Sequence, residues 1–243
     1  MRRDPHRLAL VEHLVELRRR LLVVVLLLIA ATGAAYWLRA PLAGFLTGIA
    51  PVAELIYIAP AEFFLTQLRI AVLFGLLTVI PVLFWQLWAF VRPGLTRTEA
   101  AGARGFLIAA IPLFYIGLAF ALFVMAPFVL NFLLGQATGR ITAQLSYGSY
   151  VSFILSLSLA FAVAFELPVF VVTLVRIGIV SPRTLSRFRG VVLIALLLLS
   201  ALITPPDIVS MVIVAAPLIV LFEASLLVAR IGARRREAER NQE

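Results

Sequence analysis

Six apolar runs, at about residues 21–38, 70–90, 106–134, 150–175, 190–203 and 208–229, constrain this chain more than any other feature. A stretch of roughly 20 apolar residues fits a bilayer, and there a helix satisfies its own backbone hydrogen bonds. The sequence therefore predicts an all-α membrane protein with six transmembrane helices, one polytopic domain over residues 1–243. Composition supports this: 63% hydrophobic residues, 14% charged residues and a mean hydropathy of +1.09 leave too little polar surface for a soluble domain. The fifth run would be only about 21 Å long as an α-helix, short of a hydrocarbon core of roughly 30 Å. The fifth helix is thus expected to be short, and either the bilayer thins there or runs five and six form a re-entrant pair joined at Thr204-Pro205-Pro206-Asp207.

Charge sets the orientation. The formal net charge is +9 and every basic residue is arginine. With a cytoplasmic N-terminus, 18 of the 21 arginines fall on inner segments, and only Arg39, Arg69 and Arg140 fall on outer ones. The positive-inside rule then puts both termini in the cytoplasm, with residues 230–243 as a basic tail. In residues 1–20, Leu10, Leu14 and Leu17 recur at helical spacing and continue to Leu21, as in an amphipathic lead-in lying at the interface before the chain turns into the membrane. The late first apolar run, preceded by Arg18, Arg19 and Arg20, argues against a cleaved signal peptide. There is no cysteine, and His6 and His13 both precede the first run, which leaves no thiolate or intramembrane histidine for catalysis or metal binding. Neither an enzyme nor a cofactor is expected.

Glycine and proline punctuate the outer connections, residues 39–61 and 135–149, which read as a cap on the outer face. Pro81, Pro112, Pro127, Pro168 and Pro217 lie within apolar runs, where each should bend its helix and make the bundle concave. No internal repeat is visible, so an inverted-repeat transporter architecture has no support.

The carboxylates carry the functional question. Glu166 stands in the apolar stretch Phe161–Val169, where an acid costs about 2.5 to 3.5 kcal/mol on insertion scales. Pro168 crowds the carbonyl of Ala164 beside it, so a polar spot is built into the helix. Two readings stand: a structural carboxylate bonded to a neighbouring helix, or a site for a polar partner or a proton. Glu16 can pair with Arg19 or Arg20 on its own helix, and Glu99 is a loop acid. Both lie on the arginine-rich face, where two carboxylates could each hold a guanidinium through a bidentate pair. Asp207 and Glu62 read as acids at helix N-termini, Glu223 as reaching toward the interface near Arg230, and Gln86 as bonding a neighbouring helix.

Taken together, His13-Leu14-Val15-Glu16-Leu17-Arg18-Arg19-Arg20-Leu21, Trp88-Ala89-Phe90 with Pro93-Gly94-Leu95 and Glu99, Phe165-Glu166-Leu167-Pro168-Val169 and Thr204-Pro205-Pro206-Asp207 resemble the TatC family. These are the polytopic subunits of the twin-arginine protein translocase; the resemblance is collinear from about residue 8 to residue 230 and implies a bundle of six helices with short fifth and sixth helices. It implies a receptor for twin-arginine signal peptides in the inner membrane. Such a receptor passes folded proteins across with the single-span TatA and TatB, driven by the proton gradient, and associates with other TatC copies and lipid but not nucleic acid. By the same resemblance Glu16 and Glu99 form the signal-peptide site, with Arg18, Phe90 and Leu95 matching motif positions around it, and Glu166 is the acid facing partner helices. After Thr-Pro-Pro-Asp the family often carries Ser-Gln, whereas this chain has Ser210-Met211, which puts a polar partner contact at Met211 in doubt. Ala100 and Ala162 likewise replace a frequent arginine and a frequent glycine. From the residues alone, a proton-coupled small-molecule transporter using Glu166 stays open as the alternative. An intramembrane enzyme is weaker, because Ser152, Ser156 and Ser158 have no histidine to activate them.

Overall fold

The computed structural model describes residues 5–49, 55–94, 97–135, 144–176, 178–204 and 207–240, with side chains for 13–49, 55–93, 105, 108–135, 144–176, 178–204 and 207–233. Ten α-helices and one short strand pair make up the described chain: α1 (Pro5–Trp37), α2 (Arg39–Thr47), β1 (Leu55–Ile56), α3 (Pro60–Val91), α4 (Arg97–Phe120), α5 (Ala126–Leu134), β2 (Leu145–Ser146), α6 (Tyr147–Ala164), α7 (Leu167–Arg176), α8 (Pro182–Arg187), α9 (Arg189–Ile203) and α10 (Ile208–Arg240). Among the described residues five stretches are long and apolar enough to cross a membrane: His13–Trp37, Pro60–Val91, Ile108–Leu134, Tyr147–Arg176 and Ile208–Ala233. The fifth apolar run is the shorter helix α9, fifteen residues or about 22 Å. The sixth is not short. α10 runs for 33 residues, because the arginine-rich segment after the apolar run continues the same helix.

α1 also departs from expectation. It passes through residues 20 and 21 without a break, so the lead-in and the first span are one helix instead of an interfacial segment that turns. No glycine or proline stands there to stop it, and Leu21, Leu22 and Val23 continue the helix. Its far end carries an interfacial anchor: Trp37 is 87% exposed, and the Arg39 guanidinium sits 4.8 Å from the Tyr36 ring centroid.

Prolines act unequally. Pro81, Pro112 and Pro217 lie inside the unbroken α3, α4 and α10. Pro127 follows a single wide turn, Ala121–Met125, which joins α4 to α5 with the Ala126 amide donating to the Ala121 carbonyl. Pro168 coincides with a real interruption. α6 ends at Ala164, the Glu166 amide donates back to the Val163 carbonyl at 3.0 Å, and α7 resumes from Leu167.

α6 is the pivot of the core. Tyr150, Val151, Ile154, Leu157 and Phe161 on it are fully buried and belong to one cluster with Ile70 of α3, Val129 of α5 and Val214, Leu218 and Phe222 of α10. α1 packs chiefly on α3, and the approach is close: a Cβ on Gly75 would lie 2.7 Å from the Thr32 backbone nitrogen. α4 meets α6 in the same way at Gly117, where a Cβ would stand 2.7 Å from the Phe161 carbonyl oxygen.

At the end away from most arginines the two long connections are tied together. β1 and β2 pair in parallel, with Leu55 opposite Leu145 and Ile56 opposite Ser146. Glu62 locks this junction by accepting from the Ile58 amide at 2.9 Å, the Gly148 amide at 2.8 Å and the Ser146 hydroxyl. Glu62 therefore joins two connections instead of serving only its own helix start. Tyr150 adds a second tie, donating to the Leu46 carbonyl of α2 at 2.6 Å.

Candidate functional site

The register fixed by Thr32 and Gly75 brings two polar groups together at the other end. Arg20 lies twelve residues before Thr32 on α1 and Gln86 eleven residues beyond Gly75 on antiparallel α3, axial distances of about 18 and 16.5 Å. They meet: the Arg20 Nη1 donates to the Gln86 Oε1 at 3.0 Å. Arg20 also donates from Nε at 3.0 Å and from Nη2 at 2.5 Å to a single oxygen, Oε1 of Glu16, one turn earlier on α1. The other oxygen, Oε2, lies 3.9 Å from the His13 Nδ1. The Glu16 side chain is 37% exposed, so the carboxylate remains reachable.

A cleft of about 290 Å3 opens here, lined by Glu16, Arg19, Arg20, Val23 and Gln86. Next to Glu16, His13 stacks on Phe90 from the last turn of α3, with ring centroids 4.2 Å apart and planes 15° apart. Among the lining groups the Glu16 carboxylate is the one that can hold a planar cation, through a pair in which the two neighbouring arginines must make room.

The remaining candidates fall elsewhere. Arg18 is exposed on α1 and does not line the cleft. The side chain of Glu99 and the whole of Leu95 lie outside the described residues; Glu99 is described only as backbone in the first turn of α4, at the same end as Glu16. Glu166 occupies the two-residue break between α6 and α7, half-buried, with its Oε1 buried and without a hydrogen-bond partner among the described residues. The break sits against α4: Gly117 admits Phe161 and Phe165, and Phe120 packs on both rings.

Met211 is half-buried in the first turn of α10. Beside it Asp207 caps that helix, accepting from the Ser210 amide at 2.6 Å and from the hydroxyl of the fully buried Ser210. The Ser210 hydroxyl and amide hold the Asp207 carboxyl below the usual carboxylate range.

Sequence reasoning anticipated a neighbouring-helix bond for Gln86 but not its partner, and it left Arg19 and Arg20 as equal partners for Glu16. The structure selects Arg20, whose i,i+4 spacing was the available signal. Glu223 reaches an arginine of the segment expected on the inner face: it pairs with Arg189 at 2.6 Å, bridging α10 to the start of α9, a partner that the sequence did not indicate, while Arg230 donates to the Ser186 hydroxyl of α8.

Fold and site together define a multi-pass helical membrane protein with an accessible polar cluster at its arginine-rich end. The family model for Sec-independent protein translocase protein (TatC) matches residues 12–217. The chain belongs to the TatC family. It is 33% identical to a Sec-independent protein translocase protein TatC from Desulforapulum autotrophicum, covering 98% of this chain and 90% of the relative. With the protein of that name from Halalkalibacterium halodurans, identity is 35% over 94% of this chain and 91% of the relative. A crystal structure of the twin-arginine translocase receptor TatC superposes with a TM-score of 0.82 at 31% identity, covering 91% of this chain and 99% of that one.

Proposed function

We propose that this protein is the receptor subunit of a Sec-independent protein translocase in the inner membrane, with both termini cytoplasmic. It binds twin-arginine signal peptides and passes folded proteins across the membrane with TatA, TatB and other copies of itself, using the proton gradient. The observation that carries this reading is Glu16, a reachable carboxylate in a cleft at the arginine-rich end of a chain whose family is that of the translocase. Glu99, in the first turn of α4 at the same end, supplies the second carboxylate. Two carboxylates each take one guanidinium in a charge-assisted pair, a geometry that an ammonium cannot reproduce. Phe90 and Leu95 border the peptide, and Arg18 belongs to the same surface.

Glu166 serves the second recognition event. Its buried, unpartnered oxygen at a helix break inside an apolar wall suits a hydrogen-bond donor on a single-span partner helix. Gln86, bonded to Arg20, belongs with the peptide site, and Met211 offers apolar contact only.

The test is photo-cross-linking of a twin-arginine signal peptide to the full-length protein in membrane vesicles. Glu16→Ala and Glu99→Ala should each reduce the cross-link at least tenfold, and a twin-lysine peptide should cross-link poorly to all forms. Undiminished cross-linking in both variants refutes the assignment.

A further inference from the structure

In the peptide-free state the Glu16 carboxylate already holds a guanidinium, that of Arg20 from the same chain. An i,i+4 pair on an exposed helix is weak by itself and readily exchanges with water. This one is reinforced from a different helix: Gln86 of α3 accepts from the Arg20 Nη1 at 3.0 Å, and the Arg20 side chain is only 25% exposed. The Gln86 bond turns the Nε–Nη2 edge toward Glu16 and commits Oε1 entirely.

We infer that Arg20 is an internal competitor for the signal-peptide site, a guanidinium that the incoming arginine displaces from Glu16. This rests on the receptor reading above. Displacement, not addition, follows from the geometry. A fork-to-fork pair uses both carboxylate oxygens, and Arg20 occupies one of them with two donors. Adding a further guanidinium beside Arg20, with Arg19 also lining the cleft, would crowd three cations around one acid. Exchange of one guanidinium for another leaves the charge of the Glu16 ion pair unchanged and keeps the acid paired throughout, while the displaced Arg20 guanidinium swings away from the carboxylate into water.

Two quantitative consequences separate competition from a positioning role. A competitor raises the apparent dissociation constant of every ligand by the same factor, the reciprocal of the open fraction. Arg20 therefore sets the affinity threshold and leaves discrimination between arginine and lysine to the geometry of Glu16 and its partner carboxylate. Graded weakening of the Arg20 contact must also give graded tightening of peptide binding.

The experiment measures binding of fluorescent twin-arginine and twin-lysine signal peptides to the full-length protein in lipid nanodiscs. Arg20→Gln should tighten both peptides by about fivefold and leave their affinity ratio unchanged. Arg20→Lys, which retains charge but loses the fork, should fall between wild type and Arg20→Gln. Gln86→Leu, which cuts the tie to α3 and keeps the intrahelical pair, should tighten by about twofold. Loosened folding cannot produce such an order of increasing affinity. If the wild type binds and the Arg20 variants bind equally or more weakly, the competitor assignment is overturned while the receptor reading stands. If neither the wild type nor the variants bind the twin-arginine peptide, both are overturned.

Discussion

The register that builds the proposed peptide site depends on one glycine, and its replacement has a calculable consequence. A Cβ at residue 75 would lie 2.6 Å from the Thr32 Oγ1, 2.7 Å from its nitrogen and 2.8 Å from its Cα. Ordinary contact begins near 3.4 Å, and the obstructing atoms are mostly backbone of a long helix, so α1 and α3 must separate by about 0.6 to 0.8 Å. Overpacking of this kind costs about 1 to 3 kcal/mol. In Gly75→Ala it is set against a gain of about 1 kcal/mol from replacing a mid-helix glycine, for a net loss of up to about 2 kcal/mol. Gly33→Ala, one residue from Thr32 on the same helix, meets nothing within 4 Å and should be neutral or stabilising by up to about 1 kcal/mol. Thermal unfolding of both variants in the same detergent and lipid gives the comparison, with signal-peptide binding as the second readout. Gly75→Ala should melt below wild type and Gly33→Ala at or above it. If Gly75→Ala is as stable as Gly33→Ala, the close crossing of α1 and α3 is wrong, and with it the reasoning that aligns Arg20 with Gln86.

Two further outcomes follow from the polar groups. Glu166→Leu removes a buried oxygen that has no partner among the described residues, so it should stabilise the isolated protein by about 1 to 3 kcal/mol while reducing cross-links to the single-span partner helices; unchanged cross-links would leave Glu166 a purely structural residue. Asp207→Ala should lower the melting temperature at neutral pH by uncapping α10. Because the folded-state pKa of Asp207 is depressed, its contribution is fully present above about pH 4 and fades as pH falls through the depressed value. The gap between wild type and Asp207→Ala in a pH series should therefore narrow in acid, and the absence of any gap at neutral pH contradicts the capping role.

The sequence alone determined the class, the sites of the helices and the family. A bilayer offers no water to backbone amides, so an apolar run of sufficient length has essentially one solution, a helix, and motifs such as His13–Leu21 survive as contiguous letters. It also marked Glu166 and Asp207, since an acid stands out against hydrocarbon and the Pro-Pro-Asp start of a helix is a local signal. Tertiary structure decided which faces meet. Ile70 is fully buried and Val72 is 45% exposed, yet both are branched aliphatic residues, because lipid and protein core reward the same side chains and erase the amphipathic pattern that reveals facing in a soluble helix. The crossing of Thr32 with Gly75, the junction made by Glu62 and the Arg189–Glu223 pair were likewise set by long-range packing. Local spacing places Glu16 within reach of an arginine; only the docking of α1 on α3 decides that Gln86 holds that arginine in place.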